Sequence, residues 1–147
     1  MPATSLGQYP LMPACPAADG STPGAPWSIR LAGARSARPA VELYEDGVLL
    51  DVVSSTPVAP QLVRGARTAT QNGCQRVIAW GRLPPAGPDV AVEFCRGAIR
   101  CHCLPAAVIK IYGWCWLAVA EGQFDKAIVR SGGRHQRHRL AGGQRWR

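Results

Sequence analysis

Cysteines and a histidine are concentrated in the stretch EFCRGAIRCHCLPAA, residues 93–107, which holds three of the six cysteines and one of the three histidines. Thiolates and imidazoles are preferred zinc ligands. A zinc-binding structural or redox-sensing site could be built from Cys101, Cys103, His135 and His138, and this is the alternative hypothesis for function. The C-x-C spacing argues against it, because a strand sends both thiols to one face, whereas structural zinc sites usually hold cysteine pairs on a turn.

A β-hairpin accounts for the same stretch without a metal. A two-residue turn at Arg96-Gly97 would let residues 90–103 pair in a single register. The predicted pairs on one face are Phe94 with Ile99, Val92 with Cys101, and Val90 with Cys103. Glu93 would then face Arg100 on the other side of the ribbon, and His102 would point away from its neighbouring thiols. We therefore expect Cys101 and Cys103 to act as small buried apolar residues.

Neither thioredoxin-like catalysis nor disulfide formation is expected of the cysteines. The sequence contains no C-x-x-C motif, so the thiol pairing typical of thioredoxin-like catalysts is absent. A cytoplasmic chain would keep its thiols reduced, which disfavours disulfides. Cys95, predicted to face outward beside Arg96, is then the thiol expected to be most reactive. We expect no bound metal and no cofactor.

Motifs for catalysis are also missing from the sequence. No G-x-S-x-G frame and no phosphate-binding glycine motif occurs, and RSGGR is better interpreted as a turn. The adjacent carboxylates of Glu45 and Asp46 lie in a predicted turn, where Asp is common for conformational reasons. We therefore expect a protein that is not an enzyme and has no catalytic residues.

Positive charge is concentrated at the end of the chain. The formal net charge is +8, and residues 126–147 hold seven of the seventeen basic residues and none of the nine acidic ones. Arginine forks bind phosphates, and an aromatic ring between arginines can stack on a base. The residues predicted to contact nucleic acid are Arg134, Arg137, Arg139, Arg145, Trp146 and Arg147. The other interpretations are a solvated basic tail that binds nothing, an acidic protein partner or an anionic membrane surface.

In several segments of the chain apolar residues alternate with others, and this pattern predicts β-strands. VELYEDGVLLDVV predicts a hairpin over 41–53 with a three-residue turn at 45–47, in which Leu43 faces Leu49. Residues 54–75 are expected to form a long connection with one short element near 61–67, and RVIAWG at 76–81 a short strand. Two further strands are broken at Tyr112-Gly113, and the last hairpin turns at 131–133. About seven short strands without a convincing helix predict an all-β fold, a small antiparallel β-sandwich.

The strand WCWLAV has two apolar faces. Trp114 and Trp116 share one face, so we expect this strand to be central in a sheet or to present that face to a protein partner. No apolar run is long enough to span a membrane, and the first residues lack the pattern of a signal peptide, so the expected location is cytoplasmic. The expected domains are a disordered Pro/Ala/Gly-rich leader over 1–40, a sandwich domain over 41–140 and a basic tail over 141–147.

Three segments taken together, VIAWGRLP, VAVEFCRG and IYGWCWLAVAEGQFDKAIVRSGGR, resemble small actinobacterial proteins with an immunoglobulin-like, sandwich-type C-terminal half. The likeness covers about residues 76–135. It implies an immunoglobulin-like or related sandwich, a high-GC bacterial source and no catalytic residues. The sequence thus predicts a non-enzymatic binding module that contacts nucleic acid or another polyanion through its basic end.

Overall fold

The computed structural model describes residues 9–10, 26–56, 62–71, 73–84 and 89–141. The secondary structure of this part of the chain consists of β-strands, as predicted. The strands are β1 (Tyr9–Pro10), β2 (Trp27–Ala32), β3 (Ala40–Glu45), β4 (Val48–Ser54), β5 (Gly65–Gln71), β6 (Cys74–Arg82), β7 (Val90–Arg96), β8 (His102–Ala106), β9 (Val108–Ile111), β10 (Cys115–Glu121), β11 (Lys126–Ser131) and β12 (Arg134–Arg139). They form three four-stranded antiparallel sheets, more strands than the seven predicted.

The chain divides into two compact units, residues 1–57 and 58–147. The first unit holds one sheet with the order β1-β2-β3-β4. Strand β2 lies inside the stretch 1–40 predicted to be a leader, so the regular sheet begins before residue 41. Its Trp27 is buried, and the indole Nε1 donates a hydrogen bond of 3.0 Å to Glu45 Oε1. The remaining residues of the predicted leader, apart from 9–10 and 26–40, lie outside the described part of the chain.

The hairpin predicted over 41–53 is present as β3 and β4, but its turn is tighter than expected. Glu45 pairs directly with Val48, so the turn consists of Asp46 and Gly47, both with positive φ, at 49° and 80°. This is the pattern of the primed turns that match the twist of a two-stranded ribbon. The register shifts between Leu43 and Tyr44, so Leu49 faces Tyr44 and the predicted pairing of Leu43 with Leu49 is wrong.

The second unit contains two sheets, with orders β5-β6-β10-β9 and β12-β11-β7-β8. One hydrophobic cluster takes side chains from both of them. Its members are Leu62, Val63, Ala66, Val77, Ala79, Val90, Val92, Phe94, Trp116, Ala118, Ala127 and Val129. The predicted central position of the WCWLAV strand is confirmed, because β10 lies between β6 and β9.

The connection predicted over 54–75, with one short element near 61–67, contains the strand β5, which spans Gly65–Gln71. Strand β5 pairs with β6 through Gln71 opposite Cys74, so only two residues of the chain separate the paired strands. The dipeptide Asn72-Gly73 between β-type residues is the strongest short-range signal for such a hairpin, and Gly73 has a φ of 77°. The strand predicted at 76–81 is confirmed within the longer β6.

A short segment before β5 is fixed by a close approach to β6 and β10 of the same sheet. The indole Nε1 of Trp116 donates a hydrogen bond of 2.8 Å to the carbonyl oxygen of Leu62, and the Arg64 amide donates one to the Trp80 carbonyl. Gly81 makes this approach possible, because a Cβ there would overlap the Leu62 carbonyl oxygen and lie 2.7 Å from Trp116 Nε1. Trp116 is therefore part of the core.

Candidate nucleic-acid interface

The last hairpin is present, but its turn is Gly132-Gly133 and not the predicted 131–133, and the observed register decides where each cation lies. Ser131 pairs with Arg134 across a two-residue turn at Gly132-Gly133. Because residues directly opposite each other share a face, the outward-facing rows of β11 and β12 can be read from that pairing. The rows are Lys126 with Arg139, Ile128 with Arg137, and Arg130 with His135. These six residues are called the basic face below.

The position of the hydrophobic cluster shows which side of this sheet carries the basic face. Ala127 and Val129 belong to the hydrophobic cluster and alternate with Lys126, Ile128 and Arg130, so the basic face lies on the side away from the cluster. Over residues 126–139 the chain carries five basic side chains and no acidic one. The basic face gathers four of these five charges and His135 on one surface.

The six predicted nucleic-acid contacts do not form one group in the structure. Arg137 and Arg139 lie together on the basic face. Arg134 lies on the opposite side of β12, because its side chain alternates with that of His135. Arg145, Trp146 and Arg147 lie outside the described residues.

Lys126 and Arg130 belong to this face but were not among the predicted contacts. They could not be derived from the predicted turn at 131–133, because the observed turn consists of Gly132 and Gly133 and sets a different pairing of β11 with β12. Arg130 Nη1 is 3.3 Å from Glu93 Oε1 on the neighbouring β7. Glu93 thus pairs with Arg130, and its predicted pairing with Arg100 is wrong.

Lys126 is held by the loop that follows β7. Its side chain is 13% exposed, and its Nζ donates to the carbonyl oxygen of Gly97 at 2.8 Å and lies 3.9 Å from Asp125 Oδ1. Asp125 in turn accepts a hydrogen bond of 3.0 Å from the Gly97 amide. Lys126 therefore contributes charge to the basic face from a fixed position. Arg137 and Arg139 have exposed side chains and no carboxylate partner among the described residues.

An open cleft of about 600 Å³ lies at the end of the basic face. Its lining combines three cations with apolar side chains and one carboxylate. The lining residues are Gly97, Ala98, Phe124, Asp125, Lys126, Arg137, Arg139 and Leu140. The Phe124 ring is half-buried and packs against Phe94 with the ring centroids 5.9 Å apart. The cleft thus offers an apolar surface beside positive charge.

The hairpin predicted from the Arg96-Gly97 turn has a different register. Phe94 pairs with Leu104, Cys95 with Cys103 and Arg96 with His102, so the connection is a five-residue loop, residues 97–101. Ile99, predicted to be buried opposite Phe94, is 97% exposed in that loop. Val90, Val92 and Phe94 do share the buried face of β7, as predicted.

The change of register also changes the cysteine chemistry. Cys95 and Cys103 form a disulfide, so the predicted reduced state is wrong for this pair. Cys95 is 0% exposed, which contradicts its prediction as the outward-facing reactive thiol. Cys74 is also disulfide-bonded, and the free cysteines of the described residues are the exposed Cys101 and the buried Cys115. The exposed thiol is thus Cys101, which was expected to be buried.

The residues of the alternative zinc hypothesis are not brought together. Cys103 is engaged in the disulfide, and within the described residues the one set of three potential ligands in reach of each other is Glu93, Cys95 and Cys103. Two members of that set are joined sulfurs, which do not offer the thiolates that zinc requires. His135 stands on the basic face, and His138 lies on the other side of β12.

The partner surface predicted at Trp114 and Trp116 does not include Trp116. Trp116 is fully buried in the hydrophobic cluster. Trp114 lies in the turn before β10, where its ring stacks on Tyr112 at a centroid distance of 5.6 Å. The two indoles therefore do not form one exposed surface.

No protein family, curated protein or solved structure matches this chain. None of the described residues forms a helix long and apolar enough to cross a membrane.

Proposed function

We propose that the protein is a non-enzymatic binding module for single-stranded nucleic acid and that the basic face, with the adjoining cleft, is its contact surface. The observation that carries the proposal is the pairing of β11 with β12, which aligns Lys126, Arg130, Arg137 and Arg139 on one side of a sheet. A row of cations, two of which (Arg137 and Arg139) have no carboxylate partner among the described residues, is suited to a polyphosphate backbone. Within the proposal, the second unit is a β-sandwich, supported by the cluster that takes side chains from both sheets.

Arg137 and Arg139 supply the direct phosphate contacts in this proposal. Both guanidinium groups are exposed on the edge strand β12, and their donors can take phosphate oxygens in a forked geometry. Lys126 and Arg130 are already paired with Asp125 and Glu93, so their role is to raise the positive potential around the contacts.

The cleft favours a single strand over a duplex. Bases of a single strand are free to stack on apolar side chains, and Phe124 and Leu140 lie beside Arg137 and Arg139. Bases within a duplex are already stacked and paired. Arg145, Trp146 and Arg147 remain predicted contacts that would extend the same surface. We favour nucleic acid over an acidic protein as the ligand, because an apolar surface lies next to the arginines.

The experiment compares removal of positive charge on the two sides of β12. Fluorescence anisotropy with a labelled single-stranded oligonucleotide at low salt is measured for the unchanged protein, for Arg137→Gln/Arg139→Gln, and for Arg134→Gln as the matched control. We expect the double variant to bind at least about tenfold more weakly, since it loses two charge-assisted phosphate contacts. The control should lose less than about twofold, because its charge acts only at a distance.

Three results would contradict the proposal. One is the absence of salt-sensitive binding by the unchanged protein. Another is a loss of affinity per removed charge that is equal in Arg134→Gln and in the double variant, which would show that only total charge matters. The third is tighter binding to a duplex of the same sequence than to the single strand. Circular dichroism spectra of all variants control for folding.

A further inference from the structure

A free thiol, that of Cys101, lies close in the chain to the Cys95–Cys103 disulfide. Cys101 is exposed and unbonded, and it is separated from Cys103 by one residue. The Lys126 ammonium lies 3.5 Å from Cys101 Sγ, and the same thiol contacts the Gly97 carbonyl oxygen at 3.2 Å. Thus a nucleophile, a positive charge and a disulfide occur in one part of the sheet.

We propose that Cys101 attacks the Cys103 sulfur of this disulfide and so moves the cross-link from between β7 and β8 to within residues 101–103. This inference goes beyond the proposed function and does not depend on it. In the exchange the Cys95–Cys103 bond breaks and the Cys101–Cys103 bond forms. Cys101 loses its proton to solvent and Cys95 takes one up, so the number of thiols is unchanged and no oxidant or reductant is consumed.

Access to the two sulfurs decides which of them is attacked. Cys103 is exposed, whereas Cys95 is fully buried, so an incoming thiolate can reach only the Cys103 sulfur. Residues two apart on an extended strand have Cα atoms about 6.6 Å apart, which is inside the range of about 4.4 to 6.8 Å that disulfides span. A bond between Cys101 and Cys103 is therefore compatible with an extended backbone.

The charge of Lys126 assists the step. In the transition state of thiol–disulfide exchange, negative charge is shared among the attacking, central and leaving sulfurs. Lys126 contacts Cys101 and is the residue paired with Cys95 across β7 and β11. Its ammonium group is therefore near both ends of the developing charge, and we expect its removal to slow exchange about tenfold.

The consequence of exchange is a change in how β8 is held. In the starting form the disulfide fastens β8 to β7. Four of the five residues of β8 are exposed, so little apolar burial holds this edge strand. After exchange the backbone hydrogen bonds to β7 and the partial burial of Ala106 remain. The exchange thus acts as a switch that loosens one edge of the sheet.

The test maps thiols after incubation of the full chain at about pH 8.5, where exchange should proceed within minutes to hours. Acid quenching, alkylation in denaturant and trypsin digestion place Cys95 on the peptide 83–96 and the other two cysteines on 101–110. We expect the 83–96 peptide to become alkylated, while the 101–110 peptide loses its alkyl group and gains an internal disulfide. Hydrogen exchange in β8 should rise in parallel.

Two variants make the outcome specific. Cys101→Ser keeps the original disulfide, and its Cys95 should stay unalkylated throughout. Lys126→Met should exchange about tenfold more slowly than Lys126→Arg, which retains the charge. The proposal is overturned if the unchanged protein keeps only the Cys95–Cys103 link at every time, or if Cys95 is released equally in Cys101→Ser. None of these readouts involves nucleic acid, so failure here is separate from failure of the proposed function.

Discussion

At the scale of single residues, exposure separates the groups available for chemistry from those that hold the fold. Cys101 is available, whereas Cys95 and Trp116 are buried and engaged. The sequence could not give this distinction for the cysteines, because alternation alone fits more than one register. In β8 most residues are exposed on both faces, so no buried stripe fixes how it pairs with β7.

A second residue-scale feature is the exposed pair of Asp89 and Lys110. The Lys110 Nζ donates a hydrogen bond of 2.6 Å to Asp89 Oδ1. This hydrogen bond and the attraction of the ammonium charge together hold the pKa of Asp89 below its ordinary value of 3.8. Because the folded pKa is depressed, the favourable interaction is complete above pH 3.8 and is lost as the pH falls through the folded pKa.

Replacing Lys110 with Met should raise the pKa of Asp89 back to about 3.8. The measurement is a carboxyl-carbon NMR titration of Asp89 in both proteins. High salt provides a control, because at about 1 M the screening length is only about 3 Å and the difference should shrink. An Asp89 pKa that is unaffected by the substitution would show that the hydrogen bond is not populated in solution.

At the scale of elements, short turn signals predicted the structure better than long apolar patterns did. The last hairpin was predicted with a turn at 131–133, one residue longer than the observed turn at Gly132-Gly133, and the break at Tyr112-Gly113 was correct. The hairpin at Asn72-Gly73 was overlooked because its first strand, GARTATQ, is mostly small and polar. The Arg96-Gly97 turn failed because a five-residue loop, held by Lys126 and Asp125, replaces it.

The segment that approaches β6 through Leu62 provides a test of the packing. Gly81→Ala should lower the free energy of unfolding by at least about 2 kcal/mol, because the new methyl group would overlap the Leu62 carbonyl oxygen beside Trp116 Nε1. Gly133→Ala is the matched control. A Cβ at Gly133 meets nothing within 4 Å, and the residue is not among those with positive φ, so the change should stay within about 0.5 kcal/mol.

Denaturant unfolding followed by tryptophan fluorescence measures both variants. Equal stability of Gly81→Ala and Gly133→Ala would mean that the Leu62 segment is not held against β6 and β10 as described. A loss confined to Gly81→Ala would confirm the contact.

At the scale of the whole molecule, the all-β class followed from composition and alternation, whereas the arrangement into sheets did not. The three sheets and the division near residue 57 depend on which strands meet, and no local pattern encodes that choice. The sequence showed that positive charge is concentrated at the end of the chain. Only the strand register shows which of the cations share a face. The pairing of β11 with β12 separates Arg134 from Arg137 and Arg139 and adds Lys126 and Arg130 to them.

The slope of the salt dependence of oligonucleotide binding counts the phosphate contacts, so it tests whether the basic face is the contact surface. The logarithm of the binding constant is measured against the logarithm of salt concentration for the unchanged protein, Arg137→Gln/Arg139→Gln and Arg134→Gln. Each contact to a single strand contributes about 0.7 to the slope, so the double variant should lose about 1.4 and Arg134→Gln close to none. A slope that falls equally for both sides of β12, or for neither, would contradict the assignment of the basic face.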